Sequence, residues 1–585
     1  MKRALVAVGA VVLFASSTLA QQNDGFFMRD AVGMKSYPAA PRLAERAAMV
    51  PAAVLPAAAS SIPDAILAIQ DWNASGRQPM RNGVRRRLPD VVDMHLSSAI
   101  AAKSAITAFG RGVVEATSHG TIVWSTMIRV ENAHRIRLHL ENVMLPDGAV
   151  LWVYGAGQTP IGFGRELMDG NGSLWTPSVS GGVVYLDVEV SSMNAATSFS
   201  IREILELIDV GVGSIHTEDS PTCLVDATCV SSSTFAQVSS ARKAVASLFF
   251  VTSDGGAVCT GGLLNDVASS GTPYLLTANH CFHDQSSASS LEAVFDFQTS
   301  SCQGNFNRDT SPTVNGAQWL VSSSTSDFTL VKLNSIPSGR VLLGWDANTS
   351  VVSSGTTLHR VSHPVPGSDI FPQSYSSTLV DTSTGTCTGF SRTNFIYSSS
   401  VGGQGGVYGG SSGSPVMLSN GRVVGQLLGS CGPDPSAGCD VRNSTVDGAF
   451  SSSFSSLSPF LSGSGATPSV CTQNSTTMCL ADGRFAVSAT WRTTDGQSGN
   501  GQAVRLTSDT GYFTFFSATN VEAVVKVLNA CGLNQKFWVF AGGLTDVNVV
   551  LTVRDTKNGT TKTYTNPLRT PFQPIQDTSA FATCP

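Results

Sequence analysis

"YGGSSGSPVM", residues 408–417, sets three serines in a Gly-rich turn with a proline behind them. Such a stretch is either a loop of small residues or the turn that presents a nucleophile. Serine and glycine are abundant throughout the chain, so the choice rests on finding a base and a carboxylate elsewhere. A serine hydroxyl is a weak nucleophile until a base takes its proton. The oxyanion that then develops needs donors, and backbone N–H groups of a tight Gly-rich turn can supply them.

A base stands in "PYLLTANHCF", residues 273–282. An apolar strand ends there in His280, followed by Cys281. Cys259, in "AVCTGGLL" on a preceding strand, is its natural disulfide partner. A carboxylate stands in "STSDFTLVKL", where Asp327 enters an alternating run of Phe328, Leu330 and Leu333. Taken singly, His280 reads as a structural histidine and Asp327 as a turn residue. Together they give the chain order His, Asp, Ser, one of several orders in which this catalytic triad occurs.

Composition agrees with an exported β protein. Charged residues make up 13% of 585, and the net charge is −5, which argues against a nucleic-acid binder. A chain of this length holds about two to four domains. Lys2 and Arg3, the apolar run "ALVAVGAVVLFA" and the small residues "TLA" form a secretion signal ending at Ala20. The apolar run is too short for a membrane anchor. None of the twelve cysteines precedes Cys223; eight lie at 223–439 and four at 471–584, both even sets. The cluster His280, Cys281, His283 lacks the ligand spacing of a zinc site.

Boundaries follow from shifts in pattern. Residues 1–20 are the signal peptide and 21–94 a poorly ordered segment rich in Ala, Pro and Arg. Residues 95–222 read as a cysteine-free β-sandwich, in which "HRIRLHLENV" puts Ile136, Leu138 and Leu140 on one face and Arg135, Arg137 and His139 on the other. Residues 223–461 carry the candidate chemistry, 462–470 form a Ser/Gly linker, and 471–585 form a second β-sandwich. There "RFAVSATW" alternates, and Asn558-Gly559 marks a hairpin turn. Phe513, Phe515, Phe516, Trp538 and Phe540 read as core of that module rather than a binding platform. No ligand of it is assigned.

Residues 223–461 resemble trypsin-like serine proteases of the chymotrypsin fold, the bacterial lysyl endopeptidases in particular. The resemblance rests on "CLVDATC", "LLTANHC", "SDFTLVKL", "GSSGSP" and "VVGQLLG". It implies an all-β chain: a chymotrypsin-like double β-barrel flanked by two β-sandwich-like domains. It implies that His280 is the general base, that Asp327 orients it, and that Ser412 attacks the carbonyl. The N–H groups of Gly410 and Ser412 would form the oxyanion hole. No metal or cofactor is implied, and the partners are protein or peptide substrates. Residues 95–222 resemble a pro-region, with maturation expected between 211 and 223, and 471–585 resemble a module appended to secreted bacterial proteins. Expected disulfides join Cys223 to Cys431 or Cys439, Cys229 to Cys302, Cys471 to Cys479, and Cys531 to Cys584.

Two departures from the pattern matter. Digestive trypsins carry an aspartate before the nucleophile, which pairs with a freed N-terminal amine. Here that residue is Ser411, and no "IVGG"-like start precedes Cys223. The second departure concerns the specificity pocket. Thr445 falls where lysyl endopeptidases place the aspartate that meets a substrate lysine, with Asp440 and Asp447 nearby. Leu428 falls where they carry a histidine. A buried cationic side chain without a counter-charge costs several kcal/mol, so strict lysine specificity is not expected. Competing readings are a catalytically idle protease-like binding protein and an esterase using the same triad. The "GSSGSP" turn differs from the "GxSxG" strand-to-helix turn of α/β-hydrolases.

Overall fold

The computed structural model describes residues 22–47, 52–55, 61–96, 106–117, 120–191, 197–208, 212–214, 223–366, 371–381, 387, 389–400, 406–462, 471, 473–481, 483–556 and 560–584. The signal peptide, all of the linker but Ser462, the Asn558-Gly559 turn and most of 211–222 lie outside the described residues.

The expected all-β architecture is present. In the central body, Val245–Thr252, Gly255–Leu264, Tyr274–Ala278 and Phe328–Leu333 form an antiparallel half-barrel with Glu292–Phe295 and Ala317–Ser323. The second half closes on itself. Thr357–Ser362, Ser374–Val380, Phe395–Ser400, Ser444–Ala449, Val423–Cys431 and Pro415–Met417 pair in a ring of six strands. Inward side chains such as Leu264, Leu276, Phe328, Trp345 and Met417 share one core and supply the main stabilisation. The Phe450–Leu461 helix caps that core with Phe450, Leu457 and Leu461. All described cysteines are paired: Cys223–Cys439, Cys229–Cys302, Cys259–Cys281, Cys387–Cys431, Cys471–Cys479 and Cys531–Cys584.

The N-terminal sandwich packs two sheets over a core that includes Trp124, Leu138, Leu151 and Ile201. Ile136, Leu138 and Leu140 face that core. Arg135, Arg137 and His139, on the opposite face, are buried as well. Their strand turns its charged side toward the central body. There Arg135 pairs with Asp309, and Glu292, itself bonded to Arg308, accepts a hydrogen bond from the Ser178 N–H.

The reading of 21–94 as poorly ordered is corrected. Residues Met80–Leu96 form a long strand that pairs along its length with Thr197–Leu207 and at its start with Gly255–Leu264. Residues 22–32 strap the central body: Phe26–Phe27 pair with Val341–Leu342, the Met28 N–H donates to the Arg340 carbonyl, and Val32 bridges Ile336. Ala, Pro and Arg content suggested disorder because these residues form no sheet among themselves. Their backbone groups are satisfied by other bodies.

The C-terminal module is two five-stranded sheets around a core that includes Phe485, Val487, Phe513 and Phe537. Its five singled-out aromatics divide. Phe513 and Phe515 are buried, Trp538 and Phe540 are half-buried, and Phe516 is 54% exposed. Phe516 lies at the sheet edge beside Trp491 rather than between the sheets.

Candidate active site

The strand register brings His280 and Asp327 together. Tyr274–Ala278 is sandwiched between two partner strands and is entirely buried, as its apolar composition requires. Ala278 lies opposite Phe328. His280, two residues beyond Ala278, and Asp327, one before Phe328, therefore leave the sheet at the same end. His280 Nδ1 is 2.8 Å from Asp327 Oδ2, and the His280 N–H donates to Oδ1 at 2.9 Å. Two bonds to one carboxylate fix the ring's orientation and leave Nε2 pointing elsewhere. The Cys259–Cys281 disulfide ties the next residue to the neighbouring strand. Cys259 and Cys281 lie beside the ring, but joined to each other they offer no thiolate to a metal.

Asp327 sits in the left-handed region at φ 52°, an uncommon conformation for a non-glycine residue. Two groups hold it there. Its carbonyl accepts from the Asn279 N–H and from Gln426 Nε2, which also donates to the Ser326 carbonyl. Gln426 lies in the motif "VVGQLLG", but nothing in the sequence pairs it with a residue 99 positions earlier.

The Ser412 turn is built by two glycines at positive φ, Gly410 at 86° and Gly413 at 79°. A Cβ on Gly413 would strike the Thr277 hydroxyl and the Ala278 N–H, so the turn abuts the strand that leads to His280. Both halves of the body pin it. Thr260 donates its N–H to the Ser412 carbonyl and its hydroxyl to the Gly410 carbonyl, each at 2.8 Å. From the other barrel, the Leu427 carbonyl accepts from the Gly413 N–H. The N–H groups of Gly410 and Ser412 have no acceptor among the described residues. Ser411 is buried, and its hydroxyl accepts from Ser362.

The Ser412 hydroxyl donates to Gln78 Oε1 at 2.9 Å. Gln78 enters from the N-terminal region and, with Arg77 and Met80, lines a cleft of ≈880 Å³ whose other walls include Tyr408, Gly409 and Ser412. His280 and Asp327 are thus joined directly, whereas the hydrogen bond of Ser412 goes to Gln78. No sequence signal marks Gln78 for this contact.

The specificity residues are redistributed. Thr445 lines a small cavity that shares Val407 and Ser430 with the cleft, and its hydroxyl is 2.7 Å from that of Ser398. Leu428 does not line the cleft; it packs toward Cys387, Cys431, Phe395 and Tyr397. Strand alternation turns Leu427 to the cleft instead. Asp447 is committed to Arg360, 2.8 Å away in a fully buried pair, and Arg360 also reaches the Ser414 carbonyl and hydroxyl. Burial raises the Asp447 carboxyl above its usual range against the pull of Arg360. Asp440 borders the Thr445 cavity and pairs with Arg442, whose hydrogen bonds hold its carboxyl down at about 2.

Comparison with known proteins places the central body. A family model described as lysyl endopeptidase, C-terminal domain, matches residues 217–448. A lysyl endopeptidase of Pseudomonas aeruginosa is 27% identical over 312 residues, covering 52% of this chain and 65% of that protein. The chain thus matches less than two thirds of that relative's length. Similar solved structures include one of GrC, at 16% identity and TM-score 0.28, covering 37% of this chain and 92% of that one. An HL collagenase, at 16% identity and TM-score 0.27, covers 37% and 91%. The inactivated scabies mite protease paralogue S-I1, at 15% identity and TM-score 0.27, covers 37% and 93%. The central body, a closed six-stranded barrel beside a half-barrel, is thus similar to lysyl endopeptidases over residues 217–448.

Proposed function

We propose that this chain is a secreted serine endopeptidase, trypsin-like and related to lysyl endopeptidases, made as an inactive precursor. The observation that carries the reading is the His280–Asp327 pair, set beside a turn that presents Ser412 between N–H groups without acceptors. In this mechanism Ser412 Oγ attacks the substrate carbonyl while His280 Nε2 takes its proton. Asp327 stabilises the imidazolium. The N–H groups of Gly410 and Ser412 receive the oxyanion. His280 then protonates the departing amine, and water repeats the sequence on the acyl-enzyme.

The Gln78 contact supports the precursor state, since it receives the Ser412 hydroxyl proton and the N-terminal segment walls one side of the cleft. The active form would arise by a cut within 211–223. Cys223 would stay with the protease through Cys439. Six disulfides fit an extracellular protein, and among the described residues no helix is long and apolar enough to cross a membrane. Neither Thr445 nor Asp447 offers a free carboxylate to a basic side chain, so strict lysine specificity is not expected.

A fluorophosphonate probe and a casein digest test the reading on the processed protein. Labelling and digestion should both vanish in Ser412→Ala, a loss on the order of a million-fold in rate. Retained activity in Ser412→Ala with loss in Ser414→Ala would move the nucleophile. Unlabelled, inactive processed protein would favour an idle binding fold.

A further inference from the structure

The C-terminal module carries a second cleft, far in sequence from Ser412. It lies at the end of the sandwich where the Thr510–Thr514 and Lys536–Gly543 strands finish and Ala523–Ala530 and Ile575–Phe581 begin. Three loops meet there, and backbone bonds tie them together. The Leu544 N–H donates to the Glu522 carbonyl at 2.9 Å, the Phe572 N–H to Thr545 at 3.1 Å, and the Arg569 N–H to Asp546 at 2.7 Å. The walls of this cleft of ≈510 Å³ include Phe516, Glu522, Leu544, Asp546 and Phe572. A Cβ on Gly543 would collide with the Phe572 ring, so the bare backbone at that position seats the ring.

Its apolar rim faces solvent: Leu544 is 84% exposed, and Phe516, backed by Trp491 at 4.8 Å between ring centroids, is exposed as well. Exposed apolar groups rimmed by polar ones mark interaction sites. Its charge is unmatched. Glu522 lines the cleft although only 4% of it is exposed. Its Oε1 accepts from Asn520 Nδ2, and among the described residues no donor reaches Oε2. Asp546 stands exposed on the same wall. Among the described residues neither carboxylate is in an ion pair, and none of the lining residues is basic. Arg569 meets Asp546 through its backbone N–H, not its guanidinium. A carboxylate shut away from water is costly unless a cation meets it.

We propose that this cleft binds a lysine or arginine side chain of a partner protein, together with a bulky apolar residue next to it. Glu522 meets the cation, the Phe572 ring encloses its aliphatic stem, and Leu544 and Phe516 receive the flanking side chain. Charge decides the occupant: two carboxylates without a counter-ion repel an acidic partner. Lysine and arginine join a cation to an apolar stem long enough to reach a recessed carboxylate, and a cation near an aromatic face gains further. The inference is independent of the peptidase reading.

The test is calorimetric titration of the full chain carrying Ser412→Ala, so that no probe is cut. The probes are acetyl-Leu-Lys-Leu-amide, the same peptide with norleucine for lysine, and choline, which has the charge without the flanking side chains. The lysine peptide should bind at least tenfold more tightly than either of the others. Glu522→Gln should weaken the lysine peptide at least tenfold and leave the norleucine peptide unchanged. Leu544→Ser should weaken both peptides. Should Glu522→Gln not fold, Asp546→Asn and Leu544→Ser, both at exposed positions, make the same comparison. Equal binding of the lysine and norleucine peptides, or no binding of the lysine peptide, would overturn the proposal. Choline bound as tightly as the lysine peptide would overturn the protein partner. Lysine-peptide binding that survives every one of these substitutions would overturn the cleft as its site.

Discussion

Arg360 and Asp447 form an ion pair from which solvent is shut out: their side chains are 2% and 0% exposed, with Nη2 and Oδ1 2.8 Å apart. The pair joins the Thr357–Ser362 and Ser444–Ala449 strands, and Arg360 also reaches Ser414 in the Ser412 turn. Breaking a buried pair from one side typically costs about 3–5 kcal/mol, because the remaining charge is stranded. Arg360→Met should therefore destabilise the protein by that order in chemical denaturation. Arg360→Met with Asp447→Leu should recover most of the loss. Equal stability of the single and double variants would refute this role.

Acid should weaken the fold through His363. This imidazole is wholly buried beside Phe297, and among the described residues neither ring nitrogen has a hydrogen-bond partner. Burial pushes its pKa down to about 3, with the Phe297 backbone opposing weakly. Between that value and the ordinary histidine value of about 6.5, the unfolded chain binds a proton that the folded chain does not. Stability from this group is present above 6.5 and declines as the pH falls toward 3, by up to ~1.4 kcal/mol per unit. His363→Leu should flatten that part of the stability–pH curve. An unchanged slope would mean the ring titrates normally.

Gln426→Leu should lower kcat with KM nearly unchanged. It removes the donor that holds the Ser326 and Asp327 carbonyls, letting Asp327 leave its left-handed conformation. A misplacement of about 1 Å in such a site costs on the order of a hundredfold in rate. A change confined to KM would assign Gln426 to substrate binding instead.

The contact between the N-terminal sandwich and the central body should loosen in acid. Burial alone would raise the Glu292 carboxyl. The Arg137 and Arg308 guanidiniums outweigh that and hold it below its usual range. Stability from a depressed carboxyl is present above its unfolded value of about 4.3, and is lost as the pH falls through its lower folded value. After a cut in 211–222, the two parts should co-elute in size exclusion at pH 7 and separate below pH 4. Glu292→Gln should separate them at higher pH. Co-elution of the parental protein at every pH would refute the linkage.

The placement of the candidate site residues was legible wherever they sat in short motifs. The end of a buried strand marked His280, the entry to another marked Asp327, and two glycines marked Ser412. Disulfides were legible where few pairings were open, as with Cys471 and Cys479. What escaped were contacts between residues far apart in the chain. Gln78 looks like any polar residue in a low-order stretch until a strand register carries it 334 positions onward to Ser412. What covers the face of Arg135, Arg137 and His139 also escaped, because alternation shows two faces but not what packs on the second. Leu428 was assigned to the cleft by matching, and alternation within its strand gave that place to Leu427.

The strap of residues 22–32 changes what a cut after the sandwich would accomplish. The chain docks on the central body first through Gln22–Asn23 and Phe26–Phe27, touches it again at Gln78 and at the start of the Met80–Leu96 strand, and after the sandwich returns at Val212–Ser214 and Cys223. Severing 211–222 would open a loop without freeing either end. The sandwich would remain a tethered ligand, moored by the strap at one place and by the Met80–Leu96 strand at another, at an effective concentration set by the short chain between them. Dilution alone would then be a poor release mechanism. A second incision between the strap and the sandwich would turn a bivalent complex into a monovalent one, and dissociation would become concentration-dependent.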